Sequence, residues 1–193
     1  MLAHAAEGVR RYDPARHHRL AYTFAGHDAG VCAHCIRAMG LSVAGDPAKI
    51  KPELEAALAL SDRLQHPMSA LFVQGIMCCT LYINHNFDSC QASANEMLRL
   101  ATKYDLPFYE AIGSFWLGAT QATHGEVTGG LRRMEPAFEP LDGIGLFVLL
   151  PAVVMVDTLA RAGRARDALA LITRVLDNMS DRYVRLRAVA NSW

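Results

Sequence analysis

Any chemistry in this chain has to come from its cysteines, histidines and acidic residues, and few of these stand at useful spacings. Cys32-Ala33-His34-Cys35 is the one Cys-x-x-Cys. On a helix, such a thiol pair with an imidazole between could hold a metal if two more ligands converged on it, since zinc is almost always held by four ligands in structural sites. No second pair follows at zinc-finger spacing, so the preferred reading is core packing, which small reduced thiols do well. The alternative is a small metal- or thiol-dependent enzyme built on Cys32, His34 and Cys35. Cys78 and Cys79 point to different helix faces, and the five cysteines lack the spacing of a disulfide framework. His27, His66, His85 and His124 fall near expected helix boundaries, where capping is the simplest role. Asp28 is well placed as an N-cap, which makes His27-Asp28 the most interesting pair. Arg10, Arg11, Arg16, His17, His18 and Arg19 form a small basic cluster, read as a solvated face or a contact for an anion or partner. No serine, threonine or cysteine has the sequence context of a nucleophile, and no Gly-x-x-x-x-Gly-Lys-Ser/Thr loop is present to cradle phosphates.

These residues are spread over elements that all read as helices. Between Pro107 and Pro140, Phe108, Ala111, Ile112, Phe115, Trp116, Ala119 and Ala122 make one apolar stripe at helical spacing, His124-Gly125-Glu126 stops it, and a second helix begins at Val127. Similar stripes are carried by Met68, Leu71, Phe72, Ile76, Cys79 and Ile83, then by Ala94, Met97, Leu98 and Ala101 after an opening at Asp88-Ser89. Leu54, Ala57, Leu58 and Leu64 form another, with Pro52 expected in the first turn of its helix. Pro136 is expected to shorten or bend its helix near Glu135, and Pro151 fits a first turn. Period-two alternation is absent, so no strand is expected.

Breakpoints recur along the chain. His27-Asp28, His66-Pro67, Leu106-Pro107 and Gly145-Leu146 are 39, 40 and 39 residues apart, and Gly45-Asp46, Asn86-Phe87, Gly125-Glu126 and Gly163-Arg164 are 41, 39 and 38 apart. Two interleaved series with one period describe a repeated helix-turn-helix unit, which buries its apolar face only by stacking on similar neighbours. The expected organisation is a leading half-repeat and linker over 1–26, four helical hairpins of about 40 residues over 27–180, and a tail over 181–193. Nineteen basic residues balance nineteen acidic ones, so no overall field draws the chain to nucleic acid or an anionic membrane. The N-terminus lacks a secretory pattern and no apolar run is long enough to span a bilayer, which makes the cytoplasm the expected location.

The units resemble tetratricopeptide repeats. With Gly125 as the turn glycine, Leu117, Gly118, Gly130 and Ala137 fall on that repeat's apolar and small positions, and Ala38, Ala57, Gly45, Ala168 and Gly163 match in other units. The period exceeds the usual figure of about 34 residues. A narrower similarity lies in Tyr12-Asp13-Pro14, in Gly26-His27-Asp28-x-Gly30-Val31-Cys32, and in the segments Glu55 to Phe72 and Leu98 to Ala111. These resemble the C-terminal repeat region of bacterial signalling proteins in which a class III adenylate or guanylate cyclase or DNA-binding domain precedes an AAA-type ATPase. The resemblance covers residues 3 to about 180.

The resemblance implies an all-α, tetratricopeptide-like helical-hairpin solenoid without catalytic activity or cofactor, the regulatory part of such a protein, present as a fragment or truncated form. Its implied partners are a protein, the upstream ATPase or cyclase domain, or a small effector. First helices are expected on the concave side, with Gln74, Tyr82, Glu110, Ser114 and Gln121 as groove contacts, Tyr82 being equally readable as core. Leu2 to Tyr12 matches the end of a preceding second helix, so an exposed apolar N-terminal surface and self-association through it are also expected. Phe115 and Trp116 are read as core, and Gly118 and Gly130 as close-packing positions.

Overall fold

The computed structural model describes residues 1–23, 26–141 and 149–190, with side chains described to residue 178. Every regular element in these residues is helical. The chain divides into two compact units, Met1–Gly113 and Ser114–Trp193, with the division inside one helix.

The first unit contains α1 (Leu2–Arg11), a short α2 (Pro14–His17) running into a 3-10 turn (His18–Tyr22), α3 (Ala29–Val43), α4 (Pro47–Leu64), α5 (Pro67–Ile83), α6 (Phe87–Lys103) and the start of α7 (Pro107–Thr123). Helices α3 and α4 form one hairpin and α5 and α6 the next, while α3 also packs on α5. Val31, Cys35 and Ala38 of α3, Ile50, Leu54, Ala57 and Leu60 of α4, and Val73 and Ile76 of α5 make one core. Leu71, Met97 and Ala101 form another, covered by Leu106, Tyr109 and Ile112. Helix α1 lies antiparallel on α3: Leu2 covers Gly40, Gly8 faces Ala33, and the Tyr12 ring lies on Gly30. On its surface Glu7 pairs with Arg10 and Arg11. Leu2 is at the margin of exposure, and Val9 and Tyr12 are half-buried.

One turn is used throughout. Gly45, Gln65, His85, Asp105 and Gly125 all have positive φ, as does Gly163, and the first five are spaced by 20 residues. Helices α5, α6 and α7 are each 17 residues long, and three turn residues complete the 20. At five of these six turns, all but that at Gln65, the N–H after the left-handed residue reaches back five residues: Asp46 to the Leu41 carbonyl, Asn86 to Leu81, Leu106 to Ala101, Glu126 to Gln121 and Arg164 to Leu159. This is the Schellman closure, which satisfies carbonyls that a helix end leaves open. From Gly45 to Gly125 the breakpoints of the two sequence series thus fall in one series at half the period. Pro47, Pro67 and Pro107 then open the next helix at the position where a missing N–H costs nothing.

Two sequence expectations shift here. Helix α4 starts at Pro47, so Pro52 stands in its interior rather than its first turn. Pro52 and Ala48 are exposed, so the carbonyl left without a partner faces solvent. Helix α6 is capped by Asn86, whose side chain accepts the Ser89 N–H, and Asp88 lies inside the first turn.

The second unit holds the rest of α7, α8 (Val127–Phe138), a 3-10 turn (Glu139–Leu141), α9 (Leu149–Arg161) and α10 (Ala165–Ala190). Phe115 and Trp116 are fully buried, the Phe115 ring 6.0 Å from that of Phe138. Gly118 and Gly130 are the contact between α7 and α8, and a methyl group on Gly118 would sit 2.7 Å from the Gly130 carbonyl oxygen. Helix α8 is only 12 residues long and passes through Pro136 to end at Phe138 in a 3-10 turn, three residues beyond the expected limit. Helices α8 and α9 pack together, as do α9 and α10, and the Arg161 guanidinium donates to the Ala122 carbonyl near the end of α7 (2.8 Å). The expected break at Gly145-Leu146 and the side chains of the tail lie outside the described residues.

Two glycine roles separate by experiment. Gly130→Ala puts a methyl group against the Gly118 carbonyl and the Ala122 side chain, and is expected to lower stability in urea denaturation by about 1–3 kcal/mol. Gly125 has open space around it, so Gly125→Ala carries only the left-handed strain of about 1–2 kcal/mol. Asp105→Gly removes that strain at the equivalent turn and is expected to raise the urea midpoint.

Candidate functional site

The polar residues that converge most closely do so around Asp28. Its backbone is extended, which lets the side chain fold over the first turn of α3, where Oδ1 accepts the N–H groups of Gly30 (2.9 Å) and Val31 (3.1 Å). Oδ2 accepts the Tyr12 hydroxyl (2.8 Å) and the Nδ1–H of His18 (3.0 Å). The Asp28 backbone N–H donates to Ser69 Oγ (2.9 Å) in the first turn of α5, and that oxygen lies 2.9 Å from His66 Nδ1. Above these bonds the His18, Tyr22 and His66 rings pack edge to face, with centroids 4.9–5.6 Å apart. The side chains of Asp28 and Ser69 have no exposure at all.

The electrostatics follow from this wiring. Burial opposes the Asp28 charge, yet the bonds from His18, Tyr12, Val31 and Gly30 outweigh it and hold the carboxyl below its ordinary value. Burial and the bond to Asp28 push the Tyr12 hydroxyl well above its ordinary range. Burial, reinforced by nearby His18 and opposed by Asp28, lowers His66 and favours its neutral form; with the ring proton on Nε2, Nδ1 accepts the Ser69 hydroxyl. All four lone-pair directions of the Asp28 carboxylate are occupied by these donors. A carboxylate with no free acceptor position is a poor base and a poor metal ligand; here it joins three segments of chain.

The two motif segments noted in the sequence meet at this point, because Gly30 leaves room for the Tyr12 ring: a methyl group there would lie 2.6 Å from it. His18, His66 and Ser69 were not read as members. His66 occupies the N-cap position of α5 but makes no side-chain cap to the helix, contrary to the capping role expected for it. The signal lay in the repeat itself, since Asp28 and His66 hold the N-cap positions of the first helices in successive hairpins. His27 stacks flat on Phe72 at 3.9 Å, and His85 occupies a left-handed turn position instead of a cap.

Cys32, His34 and Cys35 do not assemble into a site. Cys35 is fully buried among Val31, Ala38 and Leu54, and burial pushes its thiol and that of Cys32 upward, away from the reactive thiolate. His34 Nδ1 lies 2.8 Å from Glu53 of α4, which also pairs with Arg37 (3.0 Å). Among the described residues no group of three or more His, Cys, Asp or Glu side chains could hold a metal ion. The Cys78 and Cys90 thiols each point at the other residue's carbonyl, at 3.8 and 3.5 Å, where α5 and α6 cross. The basic cluster disperses: Arg10 and Arg11 pair with Glu7, His17 Nδ1 accepts the Asp13 N–H (2.9 Å), and His18 joins Asp28.

The five groove residues have local roles to report. Gln74 is buried in α5, 8% exposed. Tyr82 packs edge to face on Phe87 (5.2 Å). Glu110 accepts the Thr102 hydroxyl (2.7 Å), and Gln121 donates to Glu126 (2.6 Å) across the α7–α8 turn. Ser114 is half-buried. Gln74, Tyr82 and Glu110 belong to the first unit, Ser114 and Gln121 to the second.

No protein-family model, curated protein or solved structure matches the chain. No helix among the described residues is long and apolar enough to cross a membrane. The functional reading therefore rests on the geometry.

Asp28→Ala removes an N-cap and strands the Tyr12 hydroxyl and two amides, and is expected to destabilise the chain by on the order of 3 kcal/mol in urea melts. Because the folded carboxyl sits below its unfolded value, its contribution is complete above about pH 4 and is lost as pH falls through the lower folded value. For Tyr12 the sign reverses: above about pH 10 the unfolded phenol ionises while the folded one keeps its proton, so stability falls as pH rises. Tyr12→Phe is expected to flatten that alkaline limb.

Proposed function

We propose that this chain is a tetratricopeptide-like helical solenoid acting as a non-catalytic scaffold, the regulatory region through which a bacterial signalling ATPase or cyclase binds a protein or small effector. The observation that carries this reading is the single turn repeated every 20 residues, together with the packing of α3 directly on α5. First-helix to first-helix packing is what a stack of hairpins requires, because neither hairpin covers its own apolar face. The polar contacts between hairpins support it as well. Asp28 reaches Ser69 at one end of α3 and α5, and the Asn84 side chain donates to Ser42 Oγ (2.7 Å) at the other. Arg161 reaches Ala122 about one repeat away in the second unit. In this reading the histidines and acids serve as fasteners between hairpins, and the effector or partner is bound by the surface they hold in shape, in the cytoplasm.

Two observations test the proposal. Reading the coding sequence beside this one is expected to reveal an AAA-type ATPase module in the same protein or operon, and an unrelated setting contradicts the regulatory role. Elemental analysis of protein purified without a metal column is expected to find no stoichiometric metal; a full equivalent would favour the thiol enzyme instead.

A further inference from the structure

The Asp28 cluster holds two histidines edge to face, 5.4 Å between ring centroids, and they are wired differently. His18 donates to the carboxylate, a bond that survives when the ring is charged. His66 Nδ1 instead lies 2.9 Å from Ser69 Oγ, and it accepts that hydroxyl's hydrogen bond only while Nδ1 is bare. Ser69 Oγ already accepts the Asp28 N–H. If Nδ1 of His66 were protonated, that oxygen would face two N–H donors, and its own hydrogen would be left without a partner in a fully buried place. The new charge would also sit at the first turn of α5, where the helix end is itself positive.

The surroundings give that charge little help. From the 3-10 turn, the His18 and Tyr22 rings lie against it; from α3, the Asp28 carboxylate favours the charge electrostatically, but both its oxygens are taken by other donors. Tyr12 stands behind Asp28, and Arg63 of α4 adds positive potential at Tyr12. His66 is 7% exposed, and it is the segment Tyr12–Tyr22 that covers it. Lifting that segment would give the imidazolium water.

We propose that His66 is the proton-sensitive catch of a latch: neutral, it closes the segment Tyr12–Tyr22 over the N-termini of α3 and α5, and protonated, it releases that segment. The direction of the linkage agrees. His66 is harder to protonate in the closed form than in the open one, so closure is strongest above the ordinary histidine value and weakens as pH falls through the closed-form value. A device of this kind makes the face of α3 and α5 beneath the segment available under mild acid without unfolding the hairpins.

Amide hydrogen exchange on the full chain, corrected for intrinsic rates, tests the latch between about pH 7.5 and about pH 5. Protection of amides in residues 12–22 is expected to fall several-fold over that range while amides within α4 and α6 stay protected. His66→Gln, whose carbonyl can still accept the Ser69 hydroxyl, is expected to hold the segment closed across the whole range. A flat wild-type profile overturns the proposal, and so does an unchanged pH dependence in His66→Gln. Should that variant fail to fold, the imidazole titration of wild-type His66 by NMR decides: the Asp28 and Ser69 amide shifts must follow it, and independent titration of those amides contradicts the latch.

Discussion

A carboxylate that is wholly removed from water has to be surrounded by donors, and Asp28 imposes that requirement on the whole first unit. Its donors come from α1 through Tyr12, from the 3-10 turn through His18 and from α3 through its own amides, and its N–H commits it to α5. In the closed form each of these segments supplies the carboxylate or its N–H with a partner. The same bonds that hold the charge therefore fix where the leading helix ends, where α3 begins and how α3 stands against α5. Gly30 is part of the arrangement, because the Tyr12 ring occupies the space a side chain would take.

The second constraint is the length of a turn. Seventeen helical residues and three turn residues make up one 20-residue period in each of α5, α6 and α7. Glycine fills the left-handed position at 45, 125 and 163, while Gln65, His85 and Asp105 occupy it at a conformational cost. The Gln65 amide returns to the Asp62 carbonyl and the His85 ring packs on Phe87, contacts that offset part of that cost.

Much of the helical pattern was legible because it depends on apolar periodicity, which a single sequence displays. The stripe holding Phe115 and Trp116, the close approach of Gly118 and Gly130, and Asp28 as an N-cap all follow from local spacing. The turns at Gln65 and Asp105 were legible through the prolines that follow them, Pro67 and Pro107, and not through the left-handed residues themselves. Helix α4 was started too late because Pro52 and Pro47 are both compatible with a first turn, and only the turn at Gly45 chooses between them. The cluster was legible in half: Tyr12 and Asp28 stood in distinctive segments, whereas His18 looked like one charge among several. Ser69 lies 41 residues from Asp28, and nothing local to it announces that partner.

Tyr12 and Ser69, which share Asp28 as a partner, act as one joint. A double-mutant cycle on Tyr12→Phe and Ser69→Ala, read by equilibrium urea unfolding, measures this directly. If Asp28 couples them, the two changes depart from additivity by about 0.5–3 kcal/mol. Changes that add to within about 0.3 kcal/mol would show two independent contacts and contradict the account.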